Sequence, residues 1–185
     1  MARTSDKRER LVDAAQSLFH KQGFGPTSLA DISQESGVPL GNVYYYFKTK
    51  DDIAAAVIDE LADNLKKIGD YAEQQEDPRD VIMTMLDSLR SNCGAIAERG
   101  CPMGSLSIEF GKCDSPLTKR ANDLLLGHVS WTNKQLQAMG RPDAQELAIR
   151  MVSNLQGAGM IAHAMHDPGV LDKEIDRIIE WVRKL

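Results

Sequence analysis

This 185-residue chain has no run of about 18 apolar residues, so a membrane-spanning helix is not expected. Aromatic residues are scarce at 5%, and three of the four tyrosines stand side by side at 44–46. Cysteine occurs three times, at Cys93, Cys101 and Cys113. An odd count in a chain without an export signal speaks against a disulfide framework. The amino terminus is charged and lacks the apolar core of a signal peptide, so the expected location is the cytoplasm. No segment alternates with period two, which removes strands from the reading, and neither a repeat nor a low-complexity tract is visible. No pattern calls for a cofactor. What remains is 42% hydrophobic and 26% charged, the composition of an ordinary globular chain.

Net charge is −5, unfavourable at first sight for a nucleic-acid partner. Its distribution is not uniform. Residues 1–50 carry seven basic side chains (Arg3, Lys7, Arg8, Arg10, Lys21, Lys48, Lys50) and five acids, which makes them +2 and leaves −7 for the rest. A locally basic end on an acidic body suits a protein that touches DNA with one end only.

The helical period places the elements. Leu11, Ala14, Ala15, Leu18 and Phe19 mark one buried face of a helix over about 5–22, closed by Gly23. Ser28 and Asp31 form a capping box that opens a short helix, and Gly37 supplies the left-handed residue that ends it. Pro39 restarts a helix with its φ already set. Val43 and Phe47 face inward, and the remaining positions of that helix are left to solvent or to a partner. Two short helices around a glycine turn are the helix-turn-helix pattern, whose second helix enters the major groove. Thr49 and Asp52 form a second capping box, opening a long helix to about residue 71 with a buried stripe of Ile53, Val57, Leu61, Leu65 and Ile68. Prolines at 78, 102, 116, 142 and 168 then mark helix starts, predicting helices over 78–98, 102–112, 116–138, 142–166 and 170–184. Helix 142–166 has apolar Leu147, Met151, Leu155, Ala158 and Ala162 on one face. A second face carries Ser153, Gly157, Ile161 and Ala164. Helix 170–184 is equally apolar through Leu171, Ile175, Ile178, Ile179, Val182 and Leu185. Such helices have two partners, the domain core and a second subunit, or are wholly buried within the chain.

The first fifty residues resemble the TetR family of bacterial transcriptional regulators. The resemblance rests on the apolar Leu11–Phe19 helix, Gly23-Phe24, Thr27-Ser28-Leu29-Ala30-Asp31-Ile32, Ser36-Gly37-Val38, Gly41-Asn42-Val43-Tyr44-Tyr45-Tyr46-Phe47 and Lys48-Thr49-Lys50-Asp51. Pro39 departs from it, standing where a serine cap is common. The resemblance implies an all-α subunit of about nine helices. It would have a helix-turn-helix DNA-binding domain at 1–50 and a ligand-binding and dimerisation domain at 51–185. It further implies a homodimer formed through the last two helices, a palindromic operator in double-stranded DNA, and a small-molecule inducer. The DNA-contacting positions then fall on Ser28, Ala30, Leu40, Gly41, Asn42, Tyr44 and Tyr45, with Tyr46 and Lys50 completing a phosphate clamp. Asn42 can pair with adenine and Leu40 can touch a thymine methyl, while hydroxyls and an ammonium suit phosphate oxygens.

Two inducer chemistries are open. Cys101 precedes Pro102 and so sits at a helix N-cap, where a thiolate is favoured, with Arg99 close by. The segment resembles a Gly-Cys-x-x-Gly subgroup of the family in which some members sense electrophiles or oxidants. Alternatively, Met83, Leu86, Leu89, Met103, Phe110, Trp131, Met151, Leu155 and Met160, with Cys101, line a cavity for an apolar molecule. His163 and His166 lack a third ligand at metal-binding spacing, so no metal is expected. A cysteine-dependent enzyme would need a base for Cys101, and the only acid on its helix, Glu109, lies two turns away. The expected mechanism is a population shift between DNA-competent and incompetent dimers, with helix 49–71 as the link. Inverting a 99:1 balance takes about 5.5 kcal/mol of differential affinity. The sign of control, repression or activation, is not encoded in a helix-turn-helix.

Overall fold

The computed structural model describes residues 2–112 and 115–185, with side chains from residue 6 onward. Cys113 and the Arg3 side chain lie outside that set. Ten helices occur among the described residues, and no strand. They are α1 (Ala2–Gln22), α2 (Leu29–Ser36), α3 (Leu40–Tyr46), α4 (Lys50–Ala72), α5 (Pro78–Arg90), α6 (Cys93–Arg99), α7 (Pro102–Gly111), α8 (Thr118–Ala138), α9 (Ala144–Met165) and α10 (Pro168–Val182). None is long and apolar enough to cross a membrane.

The all-α class holds. The helix expected over 78–98 is two, α5 and α6, interrupted at Ser91-Asn92. Pro78, Pro102 and Pro168 occupy first helical positions as expected. Pro116 and Pro142 stand two residues ahead of α8 and α9, in the turns that lead into them.

Local chemistry fixes the amino-terminal elements. Gly23 ends α1 at φ 89°, and Gly37 ends α2 at φ 65°, a region open to glycine and strained for other residues. Both capping boxes form: Ser28 with Asp31, and Thr49 with Asp52. The backbone and hydroxyl donors at these caps hold the Asp31 and Asp52 carboxyls below the usual carboxylate range.

Two apolar cores result. The first gathers Leu11, Ala15, Phe19, Ile32, Val38, Val43, Phe47, Ile53 and Val57 from α1–α4, and continues into Leu106 and Phe110 of α7 and Ala121 of α8. Helix α4 is therefore shared. Its first half belongs to the amino-terminal core, so residue 50 is a helix start and not an edge of packing. The second core gathers α5, α6, α9 and α10 around Ile82, Leu86, Met151, Leu171, Ile175 and Val182. Arg90 bridges Asp172 and Asp176, locking α5 to α10 at its rim.

The two carboxy-terminal helices differ. The apolar stripe of α10 is consumed inside the chain. Helix α9 buries Met151, Leu155 and Ala162 and still presents Ile149, Met160, Ile161 and Met165 to solvent, beside the small residues Ser153 and Ala164.

Candidate DNA-reading surface and ligand cavity

Helix α3 stands on Val43 and Phe47, which are buried, and turns its other side outward. Leu40 is 39% exposed, Tyr44 47% and Tyr45 71%. A Cβ at Gly41 would meet nothing within 4 Å, so the backbone there is bare. Asn42 is half-buried, and Ser28, the N-cap of α2, and Ala30 of α2 are exposed. The Ser28 hydroxyl is engaged with Asp31. Tyr46 is half-buried against the core, edge-on to Tyr45 at 5.0 Å.

Lys50 is placed differently from its expected clamp position. Its ammonium donates to the Phe24 and Gly25 carbonyls at 2.8 and 3.0 Å and lies 4.2 Å from the centre of the Phe24 ring. In this arrangement it ties the α1–α2 loop to the start of α4 and is not free for a phosphate. The Lys48 ammonium donates to the Tyr44 carbonyl and, unlike Lys50, belongs to an exposed residue beside the reading helix.

Behind this unit lies a cavity of about 650 Å³ bounded by α1, α4–α9 and α10. Five expected residues line it: Leu89, Cys101, Met103, Trp131 and Leu155. Leu86, Phe110 and Met151 do not, because each is fully enclosed in a core. Met83 packs on the second core away from the cavity, and Met160 points to solvent at 68% exposure. The α4 stripe divides likewise. Ile53 and Val57 are buried, whereas Leu61, Leu65 and Ile68 are only half-buried because they form the cavity wall. Gly69 lets the Trp131 indole lie against α4; a Cβ there would stand 3.2 Å from its Nε1. The indole N–H donates to Glu73, whose same carboxylate oxygen also accepts from Lys134 and Gln135.

Ten polar or charged wall residues were not anticipated, among them Gln16, His20, His128 and Gln156. His128 was legible, since Leu124, His128 and Trp131 follow one helical face. Its ring is half-buried in the wall, and burial pushes the imidazole pKa down, which favours the neutral ring at neutral pH. Its Nε2–H is directed at the Met85 sulfur, 3.3 Å away.

Cys101 is the N-cap residue of α7, as its sequence position predicts, but its sulfur caps nothing. It accepts instead from Gln156 Nε2 at 3.5 Å. Cys93 is buried among apolar groups, which pushes its thiol pKa up. His163 donates from Nδ1 to the Ala97 carbonyl, and among the described residues no third ligating side chain joins it and His166.

Helix α7 spans the distance between cavity and reading unit. Cys101, Pro102 and Met103 at its start line the cavity. Glu109 near its end accepts the Phe24 N–H at 2.8 Å, and Phe110 packs on the Phe24 ring at 4.8 Å. His20 of α1 donates to the Gly100 carbonyl at 2.6 Å.

Comparison with known proteins converges on one group. The family described as "Bacterial regulatory proteins, tetR family" matches residues 11–57. The HTH-type transcriptional regulator LmrA of Bacillus subtilis is 28% identical over 169 residues, covering 90% of this chain and 85% of LmrA. An uncharacterised HTH-type regulator from the lacX 3′ region of Lactococcus lactis subsp. lactis is also 28% identical, over 91% of this chain and 89% of its own. Among solved structures, a TetR transcriptional regulator from Chloroflexus aurantiacus superposes with a TM-score of 0.85 at 25% identity, covering 99% of this chain and 97% of that one.

Proposed function

As the chain belongs to the TetR family of bacterial transcriptional regulators and is a DNA-binding regulator, not an enzyme, we propose that it acts as a homodimeric repressor. A palindromic operator binds it, and a small molecule in the central cavity, or a modification of Cys101, releases it. The observation that carries this reading is the path of α7. One end of that helix is cavity wall and the other grips Gly23-Phe24, the loop that positions α2 and α3. A guest that displaces Cys101–Met103 moves the helix that holds the reading head. Helix α4 contributes too, since its first half lies in the amino-terminal core and its second half in the cavity wall.

The exposed apolar side chains of α9 supply the dimer contact, with Ser153, Gly157 and Ala164 allowing close approach of a second copy. On the DNA side, Leu40, Gly41, Asn42 and Tyr45 read bases while Tyr44, Tyr46, Ser28 and Ala30 meet the backbone. Lys50 joins the phosphate contacts by exchanging the two loop carbonyls for phosphate oxygens. Cys101 lies in the cavity wall, so an adduct on its sulfur and a reversible guest would occupy the same space.

Selection of bound DNA from a random pool tests the reading. It should return a palindrome with half-sites one helical turn apart. With that operator, Tyr44→Phe should weaken binding to all sequences a few-fold, and Asn42→Ala should relax base preference at one position of each half-site. Unchanged selectivity in Asn42→Ala sinks its base-reading role. Alkylation followed by intact mass tests the cysteine arm: Cys101 reacting no faster than a free thiol at neutral pH removes it.

A further inference from the structure

The cavity has polar groups that are poorly used. Two of its unanticipated wall residues, His128 of α8 and Gln156 of α9, direct N–H donors at sulfur: His128 Nε2–H at the Met85 thioether and Gln156 Nε2 at the Cys101 thiol. Sulfur is a weak acceptor, so each donor keeps most of its hydrogen-bonding capacity. Both residues are half-buried in a wall that also carries Leu124, Met103 and Leu155, where a donor without a good acceptor is costly. An oxygen acceptor brought in by a guest would replace the sulfur contact with a stronger bond.

The charged side chains of the wall carry the second half of the inference, because each already has a counter-charge. Lys66 is paired with Asp70, Asp123 with Lys119, and Glu73 with Lys134. The neutral ring of His128 is favoured by its burial, and Gln156 is an amide. A cationic or anionic guest would leave water and meet no spare charge of opposite sign.

We infer that the cavity takes an uncharged, mainly apolar organic molecule bearing an oxygen acceptor, such as a carbonyl or ether, held by the N–H donors of His128 and Gln156. This rests on the reading of the cavity as the inducer site. It adds a ligand class and two specificity-determining residues to that reading.

Four naphthalenes of one shape separate the possibilities: 2-acetylnaphthalene, 2-isopropylnaphthalene, 2-naphthoate and 2-naphthamidinium. Their binding to the full-length protein is measured by titration calorimetry. The ketone should bind about tenfold tighter than the isopropyl, carboxylate or amidinium analogue, the effect of one hydrogen bond made in an apolar site. His128→Leu with Gln156→Leu should bring the ketone down to the level of the hydrocarbon and leave the hydrocarbon unchanged. His128→Gln, which keeps an N–H donor, should retain the preference and serves if the double variant fails to fold. Gly127→Trp is the control for place. Gly127 lines the cavity and a Cβ there would meet no atom within 4 Å, so an indole has room at the cavity wall and should abolish binding of every probe. Loss in Gly127→Trp with equal affinity for ketone and hydrocarbon overturns the ligand class and leaves the cavity reading standing. So does a ketone preference that survives the double variant, or a charged analogue that binds as tightly as the ketone. Absence of binding by any probe, or binding indifferent to Gly127→Trp, overturns the cavity reading and the inference together.

Discussion

The amino-terminal core and the central cavity are built from the same kinds of side chain and packed in opposite ways. In the first, Leu11, Ile32, Val43 and Ile53 are completely enclosed. In the second, Leu61, Leu65, Ile68 and Leu89 present one side to the cavity of about 650 Å³. A side chain on the cavity wall has no protein atoms against its open side and forfeits that share of its packing contacts within the protein. The reading head is thus closely packed, and the body keeps room beside its core. That division suits the ligand control proposed above, since a cavity already filled by its own side chains could not respond to anything.

The sharpest test of this contrast is one substitution made twice. Leu11→Ala removes a fully packed side chain and should cost about 3 kcal/mol in urea unfolding. Leu89→Ala removes a half-buried wall side chain that is packed on one side only and should cost about 1 kcal/mol or less. Equal losses at the two sites would mean that the cavity collapses in solution and that the two regions do not differ.

The same contrast explains what the sequence revealed. Caps, the left-handed glycines and the reading-helix face depend on neighbours within four residues: Ser28 with Asp31, Thr49 with Asp52, Gly37 after Ser36. They were legible because the interactions are local. The cavity depends on which apolar residues fail to meet across α4, α5, α8 and α9. Periodicity places Met151 and Leu155 on one face of α9 without telling that the first is packed and the second is wall. The contacts that Lys50 makes in the absence of DNA were hidden for the same reason. Its partners, the Phe24 and Gly25 carbonyls, are distant in sequence. Polar residues on a cavity face, His128 and Gln156, carried a usable signal: each interrupts an apolar stripe.

Next in size is the joint between the regions. Gly23 has φ 89°, and a Cβ there would collide with the Glu109 carboxylate that receives the Phe24 N–H. Gly23→Ala therefore combines backbone strain with loss of that hydrogen bond, and should cost about 1–3 kcal/mol. Its distinguishing consequence is for control. Because α7 can no longer hold the loop, operator affinity should fall while guest binding in the cavity persists, measured by anisotropy and calorimetry on one preparation. Guest affinity falling in parallel with operator affinity would place the joint elsewhere.

The smallest expected effect is a pH dependence that belongs to the cavity alone. The half-buried His128 has its pKa lowered from the ordinary 6.5 by burial. Below about pH 6.5 the unfolded chain therefore takes up a proton at this position that the folded chain refuses. Stability contributed by the neutral ring is fully present above that value and is lost as pH falls, until the folded form protonates as well. His128→Gln removes the titration while keeping a donor, so its urea midpoint should drop less than that of the parent between pH 7.5 and 5.5. His20, Lys66, Asp70, Glu73 and Asp123 also face the cavity and are common to both proteins, so their contributions cancel in the comparison. Parallel pH profiles would show that water reaches this ring as it reaches an exposed imidazole. His128 would then cease to be the half-buried donor that sets the cavity apart from the packed core beside it.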